Sequence, residues 1–241
     1  MKQNIKCELC NDTGWVPTEV GYKACKCVEV TKIKSLWENF GLNPEEAKRI
    51  RDYKSYNKET EKAKKNAIEY IENFEMINNT RENSFALCGQ AGSGKTHIVV
   101  GIGRALLEKN IQVIYMPYLE AIRELKCNVL DEEYYLKLLR RYQRAKVLII
   151  DDLFKDKVKK GKLTGQLTEA DIKHIYPIIN YRYVNRLPIL VSTECTPDML
   201  LDLDDAIGGR ILESVDKFLV TFSKNSNYRT KKLKNESDIK C

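Results

Sequence analysis

The sequence predicts an α/β fold in which a mostly parallel sheet is flanked by helices. Short apolar runs recur at Phe85–Cys88, Ile111–Tyr115, Val147–Ile150, Pro188–Ser192 and Phe218–Phe222. Helix-length segments, roughly 96–109, 119–144 and 168–186, separate the first four. Near-continuous apolar strands alternating with helices imply a sheet covered on both faces. A glycine-rich loop between the first run and the first helix, and a pair of carboxylates ending the third run, give that sheet a functional edge.

The chain begins differently. Residues 1–28 are rich in turns and cysteine, with Asn11-Asp12-Thr13-Gly14 between two cysteine pairs. From about Glu29 the period becomes helical: Val30, Ile33, Trp37 and Phe40 fall three or four apart, and Gly41 stands where a C-cap belongs. That helix offers an apolar face either to a partner or to the cysteine-rich knob. Asn43-Pro44-Glu45-Glu46 reads as N-cap, N1 proline and acidic first turn of another short helix. The stretch around Arg51–Asn57 is polar and irregular, as a linker would be. A longer helix follows, with Ala67, Ile68, Ile71, Phe74 and Met76–Ile77 marking its buried side. The expected organisation is a cysteine-rich N-terminal module over 1–45, a linker over 46–60 and the sheet domain over 61–241.

At 241 residues the chain has room for one such domain and a small appendage. Hydrophobic residues are 43% and charged residues 31%, which points to a folded chain rather than a disordered one. No apolar run follows Met1–Cys7, so no secretory signal is expected, and no segment is apolar enough to cross a bilayer. A cytoplasmic location without membrane contact is the expectation. The net charge of +7 tilts the surface towards polyanionic partners.

Gly89-Gln90-Ala91-Gly92-Ser93-Gly94-Lys95-Thr96 fits G-x-x-x-x-G-K-[ST], entered from a strand and left through a helix starting near His97. Glycines let backbone N–H groups converge on phosphate oxygens, and the helix start directs its dipole at the same anion. Lys95 is expected to reach the β- and γ-phosphates of ATP, and Thr96 to place its hydroxyl on Mg²⁺. Asp151 and Asp152 end an apolar strand at the sheet edge where ligands bind. Asp151 is expected to serve the Mg²⁺ shell and Asp152 to orient or deprotonate a water. Aspartate is one methylene shorter than the glutamate most such ATPases use, so slow hydrolysis is expected.

Four of the eight cysteines, Cys7, Cys10, Cys25 and Cys27, crowd into the first 27 residues. A reducing compartment disfavours disulfides, and two close pairs of thiolates suit a closed tetrahedral Zn²⁺ site. So short a segment can hardly fold without such a staple. Five lysines in Lys155–Lys162 follow the acidic strand end, a composition that suits either a solvated loop or contact with single-stranded DNA.

These motifs resemble the AAA+ ATPases, and within them the DnaC/DnaI-type replicative helicase loaders of phages and prophages. The resemblance extends through Asp171-Ile172, Ile178-Ile179-Asn180-Tyr181-Arg182-Tyr183 and Leu187–Glu194. It continues through Asp205–Ile211 and Asn227-Tyr228-Arg229, covering about 60–230. Cys7-x-x-Cys10 followed by Asp12-Thr13-Gly14-Trp15 is also similar to the zinc-bearing loaders. The resemblance implies an arginine finger at Arg210, supplied to a neighbouring subunit's nucleotide, and a second sensor arginine at Arg229. It implies self-association through the ATP site, a helicase-gripping N-terminal module and a single-stranded DNA partner. The first sensor departs from the family's polar Asn: Glu194 stands there, preceded by Ser192 and Thr193.

Three functions fit these features: an ATP-dependent helicase loader for replication initiation, a transposition-helper ATPase, and a nucleotide-switched DNA-binding module that hardly hydrolyses ATP. The cysteine module favours the first. An origin-binding initiator would need a duplex-reading domain after Phe222, for which fewer than twenty residues are expected to be too few.

Overall fold

The computed structural model describes residues 7–43, 47–223 and Tyr228. A hairpin of β1 (Trp15–Thr18) and β2 (Gly21–Ala24) leads into α1 (Lys26–Phe40), which Cys25 caps and Gly41 ends at φ 82°. The helix expected from Asn43-Pro44 falls on residues outside those described. After a short 3₁₀ turn at Ile50–Asp52 comes α2 (Lys58–Ile77), opened by a reciprocal Asn57–Thr60 capping box. Its buried side is Ala63, Ala67, Tyr70 and Phe74; Ile68 and Met76, expected on that side, are exposed.

The sheet contains β3 (Phe85–Gly89), β4 (Val113–Pro117), β5 (Val147–Leu153), β8 (Ile189–Thr193) and β9 (Leu219–Phe222). Its order is β4-β5-β8-β3-β9, and every neighbouring pair is parallel. Between β3 and β4 lies α3 (Lys95–Glu108). The segment expected as one helix over 119–144 is two: α4 (Tyr118–Cys127) and α5 (Glu132–Arg144). Asp131 caps the second by accepting from Tyr134 N–H at 3.0 Å, and Leu130 in the break is fully exposed.

Two-residue strands β6 (Val158–Lys159) and β7 (Lys162–Leu163) form a small antiparallel ribbon after β5. Three helices complete the fold: α6 (Glu169–Val184), α7 (Pro197–Leu203) and α8 (Asp205–Val215). No helix among the described residues is long and apolar enough to cross a membrane.

Both sheet faces are apolar, so successive strand residues serve opposite cores. Phe85 and Leu87 of β3, with Val147 and Ile149 of β5, pack towards α2 and α3. Ala86, Cys88, Leu148 and Ile150 pack towards α4, α5, α6 and α8. On that second side Arg182 is 1% exposed, and its guanidinium donates to the carbonyls of Tyr142, Gln143, Ala145 and Pro188 at 2.7–3.0 Å. It ties the end of α5 to the start of β8. The far end of α1 lies against this domain too, with Phe40 fully buried in the first core.

Candidate functional site

The phosphate loop turns between β3 and α3 at the carboxyl edge of the sheet. It hangs from both neighbouring strand ends: Gly89 N–H donates to Cys195 O (3.1 Å) and Gln90 N–H to Phe222 O (3.0 Å). Gly94, at φ 86°, caps α3, and a Cβ there would stand 2.7 Å from Tyr53 Cε2. Only glycine satisfies both the left-handed backbone and that close approach. Lys95 is 6% exposed and curls into the loop, donating to Gly89 O and Gln90 O, each at 2.8 Å. Burial pushes its ammonium down to about 8, against the opposing pull of Asp152 and Asp151.

Beneath the loop Thr96 Oγ1 donates to Asp151 Oδ1 at 2.9 Å. Ser192 Oγ donates to the same oxygen, and Tyr115 OH donates to Oδ2 at 2.7 Å. The register shifts between Ile150 and Leu153, and Asp152 adopts φ 54°. Such a bulge re-aims a side chain at a sheet edge. Asp152 is secured through its N–H, which donates to Ser192 Oγ at 2.9 Å. Ser192 therefore serves both acids. Thr193 Oγ1 instead bonds Leu153 O, and Glu194 pairs with Lys155.

Beside the loop is a cavity of about 280 Å³, walled by Tyr53, Tyr56, His97, Tyr228 and the backbone of Gly92–Gly94. Tyr53 OH donates to Ser93 O at 2.9 Å, His97 lies edge-on to Tyr53, and Tyr228 N–H donates to Gly92 O at 3.0 Å. Three aromatic rings and an imidazole beside a phosphate loop suit a planar heterocycle. On the opposite flank, Gly89, Gln90 and Ala91 share a cavity of about 480 Å³ with Glu194 and with Lys160-Gly161.

Lys160 and Gly161 are the turn of the ribbon after β5, at φ 52° and 71°, both left-handed as a tight type I′ hairpin requires. Lys157 is almost covered, pairing with Asp156 (2.8 Å) and Asp171 (3.0 Å). Asp171 also receives Lys126 at 2.6 Å. Burial opposes its ionisation, but Lys126, the Thr168 N–H and Lys157 outweigh burial and hold its carboxyl well below the usual range. The lysine segment is thus a braced ribbon that leaves Lys159, Lys160 and Lys162 exposed.

Arg210 sits on α8 against α6, donating to Asn180 Oδ1 (3.1 Å) and Ala206 O (2.8 Å), with its guanidinium over Tyr176 and Tyr183. None of its described contacts reaches the chain's own phosphate loop. Arg229 lies outside the described residues. At the N-terminus the sulfurs of Cys7, Cys10, Cys25 and Cys27 all lie within 4.8 Å of one another. Cys7–Cys25 is 3.7 Å and Cys10–Cys27 is 3.4 Å. A tetrahedron with metal–sulfur bonds of about 2.3 Å has sulfur–sulfur edges of about 3.8 Å, so four thiolates here fit one zinc-sized ion.

The family model described as IstB-like ATP binding protein matches residues 40–232, which include every element of this edge. The chain belongs to that family. Among similar proteins of Bacillus subtilis (strain 168), the uncharacterized protein YqaM is 37% identical over 206 residues, 82% of this chain and 62% of YqaM. The chain therefore spans less than two thirds of YqaM's length. The phage-like element PBSX protein XkdC is 35% identical over 224 residues, 89% of this chain and 81% of XkdC. The crystal structure of the DnaC helicase loader shares the fold, with a TM-score of 0.55 and 22% identity over 79% of this chain and 99% of that chain. The sheet with its flanking helices is the AAA+ P-loop fold.

The sequence alone assigns Tyr53, Tyr56 and Tyr115 no role, and Ser192 none on the acids. Tyr53-x-x-Tyr56 just before a helix cap was a usable signal. Tyr115 and Ser192 carried none, because each meets Asp151 only through strand pairing.

Proposed function

We propose that the chain is an ATP- and Mg²⁺-dependent AAA+ ATPase that places a replicative DNA helicase onto single-stranded DNA. The observation that carries the nucleotide part is the contact of Thr96 with Asp151 directly beneath the Lys95 loop, beside an aromatic cavity. Bound ATP would supply the phosphoryl group, and Mg²⁺ would offset the charge of its phosphates. Loop N–H groups and Lys95 would hold the phosphates, Thr96 and Asp151 the metal, and Tyr53, Tyr56, His97 and Tyr228 the base. Asp152 accepts the proton of the attacking water or orients it, on a carboxylate whose backbone Ser192 secures. Arg210, whose described contacts do not reach its own site, is offered to a second copy, which makes self-association part of the cycle.

The family and the fold of the DnaC helicase loader support the helicase partner. The exposed lysines of the ribbon are suited to a single-stranded DNA backbone, with affinity that falls as salt rises. A zinc-held Cys₄ knob is assigned to gripping the helicase. The family description also favours a second reading, a transposition helper with the same ATP site.

The test is steady-state ATP hydrolysis with and without single-stranded DNA, together with co-purification of the replicative helicase in ATP. A loader hydrolyses ATP, loses at least about a hundredfold in rate in Lys95→Ala, and retains the helicase. Hydrolysis without any helicase complex would turn the reading to the transposition helper. Nucleotide binding with no hydrolysis under any condition would leave only a switched binding module.

A further inference from the structure

Asp151 accepts from three side chains, and two of them, Thr96 and Ser192, already belong to the site. The third, Tyr115, comes from the edge strand β4 and is, among the described residues, the one hydrogen-bond donor to Oδ2, at 2.7 Å. Its ring does not stand alone. It meets Phe40 edge-to-face, with centroids 6.3 Å apart and planes at 69°.

Phe40 is the last residue of α1 and is fully buried. That end of the helix is clamped: Trp37 packs edge-on against Phe40, Arg104 lies 5.5 Å from the Trp37 ring, and Arg141 donates to Asn39 O at 3.2 Å. Its other end begins at Cys25 and Cys27, two of the four sulfurs of the knob. Between the ends Val30 is 65% exposed and Ile33 39%. Fifteen helical residues make a rod of about 22 Å, held at its two ends and free along its middle face. Phe40 packs against the Tyr115 ring and so bounds the space in which that ring can swing.

We propose that Tyr115 is a positioning residue for the Asp151 carboxylate and that Phe40, at the end of α1, sets its ring, so that the packing of this helix end governs the nucleotide site's demand for Mg²⁺. This rests on the reading of Asp151 as a metal-shell acid. A hydroxyl on Oδ2 fixes rotation of the carboxylate while Thr96 and Ser192 hold Oδ1; without it the carboxylate turns freely and the metal meets an unprepared ligand. Partners that orient ligating carboxylates contribute about 10–100-fold to metal affinity.

The experiment titrates Mg²⁺ against equilibrium binding of a fluorescent ATP analogue to the full-length chain, its Tyr115→Phe, Phe40→Leu and double variants, and Asp151→Asn. Tyr115→Phe keeps the ring and its contact with Phe40, so folding is preserved. The half-saturating Mg²⁺ concentration is expected to rise about tenfold in Tyr115→Phe. A smaller rise of about threefold is expected in Phe40→Leu, and the double variant should be no worse than Tyr115→Phe alone, since both act through one hydroxyl. An unchanged Mg²⁺ requirement in Tyr115→Phe beside a raised one in Asp151→Asn overturns the positioning role and leaves the ATP site standing. A shift in Tyr115→Phe with none in Phe40→Leu, or fully additive shifts, overturns the link to α1. No shift in Asp151→Asn removes the metal reading of that acid and the proposal with it.

Discussion

Between Cys7 and Ala24 only Cys10 is buried, whereas every residue of β3 is. The apolar side chains of the knob face outward: Leu9 is 72% exposed, Trp15 56%, Tyr22 75% and Val20 99%. Its internal order rests on a few local bonds, such as Cys25 N–H to Gly14 O at 2.8 Å and Thr13 Oγ1 to Cys10 O at 2.6 Å. The sheet domain instead has two apolar cores, one on each face. Two parts of one chain therefore use different physics. The sheet is held by burial, which scales with the area removed from water, whereas the knob gathers four sulfurs at a spacing that fits a zinc-sized ion.

The largest expected effect separates the two outright. Zinc bound to finger-sized peptides contributes about 10–16 kcal/mol at neutral pH. Chelation should therefore abolish hydrogen-exchange protection at the Thr13 and Cys25 amides while the amides of β3 and β5 stay protected. Protection in the knob that survives chelation would break the contrast, as would a core that melts along with it.

Next comes a place where the core itself depends on polar bonds. Arg182→Met removes the guanidinium from four carbonyls at the α5–β8 junction, of which Pro188 O keeps the Leu148 N–H, and is expected to cost about 3–5 kcal/mol. In a thermal melt that is a fall of about 10 °C. A fall of under about 2 °C would mean that apolar packing alone holds this junction.

The smallest effect compares one residue type in both settings. Val147→Ala removes methyl groups at a position with no exposed surface and should cost about 2 kcal/mol. Val20→Ala, at the exposed tip of the knob, should stay within about 0.5 kcal/mol. Equal losses in melting temperature would show that the Val20 face is covered in solution, by a partner or a second copy.

The same contrast explains what could be read in advance. The phosphate loop and the cysteine set are short-range patterns whose chemistry lies in contiguous or nearly contiguous residues, so the sequence displays them whole. The strands were visible because burial on both faces leaves unbroken apolar runs. The helix over 119–144 was misjudged because Val129 and Leu130 continue an apolar pattern across a break in which both are exposed. Asp131, the cap of α5, divides the segment. Ile68 and Met76 likewise fit the period of a buried side that Tyr70 and Phe74 occupy instead.

By itself, then, the sequence determined the parallel α/β architecture, the phosphate loop with Lys95 and Thr96, the acid pair at the end of β5 and the four clustered cysteines. Each is written in local spacing or periodicity. Only the tertiary structure decided that Ser192 and Tyr115 hold Asp151, that Tyr53 closes on Gly94, that the lysine segment is a braced ribbon, and that Phe40 joins the cysteine knob to the nucleotide edge. Those contacts unite residues far apart in the chain, and strand order and helix packing alone bring them within reach.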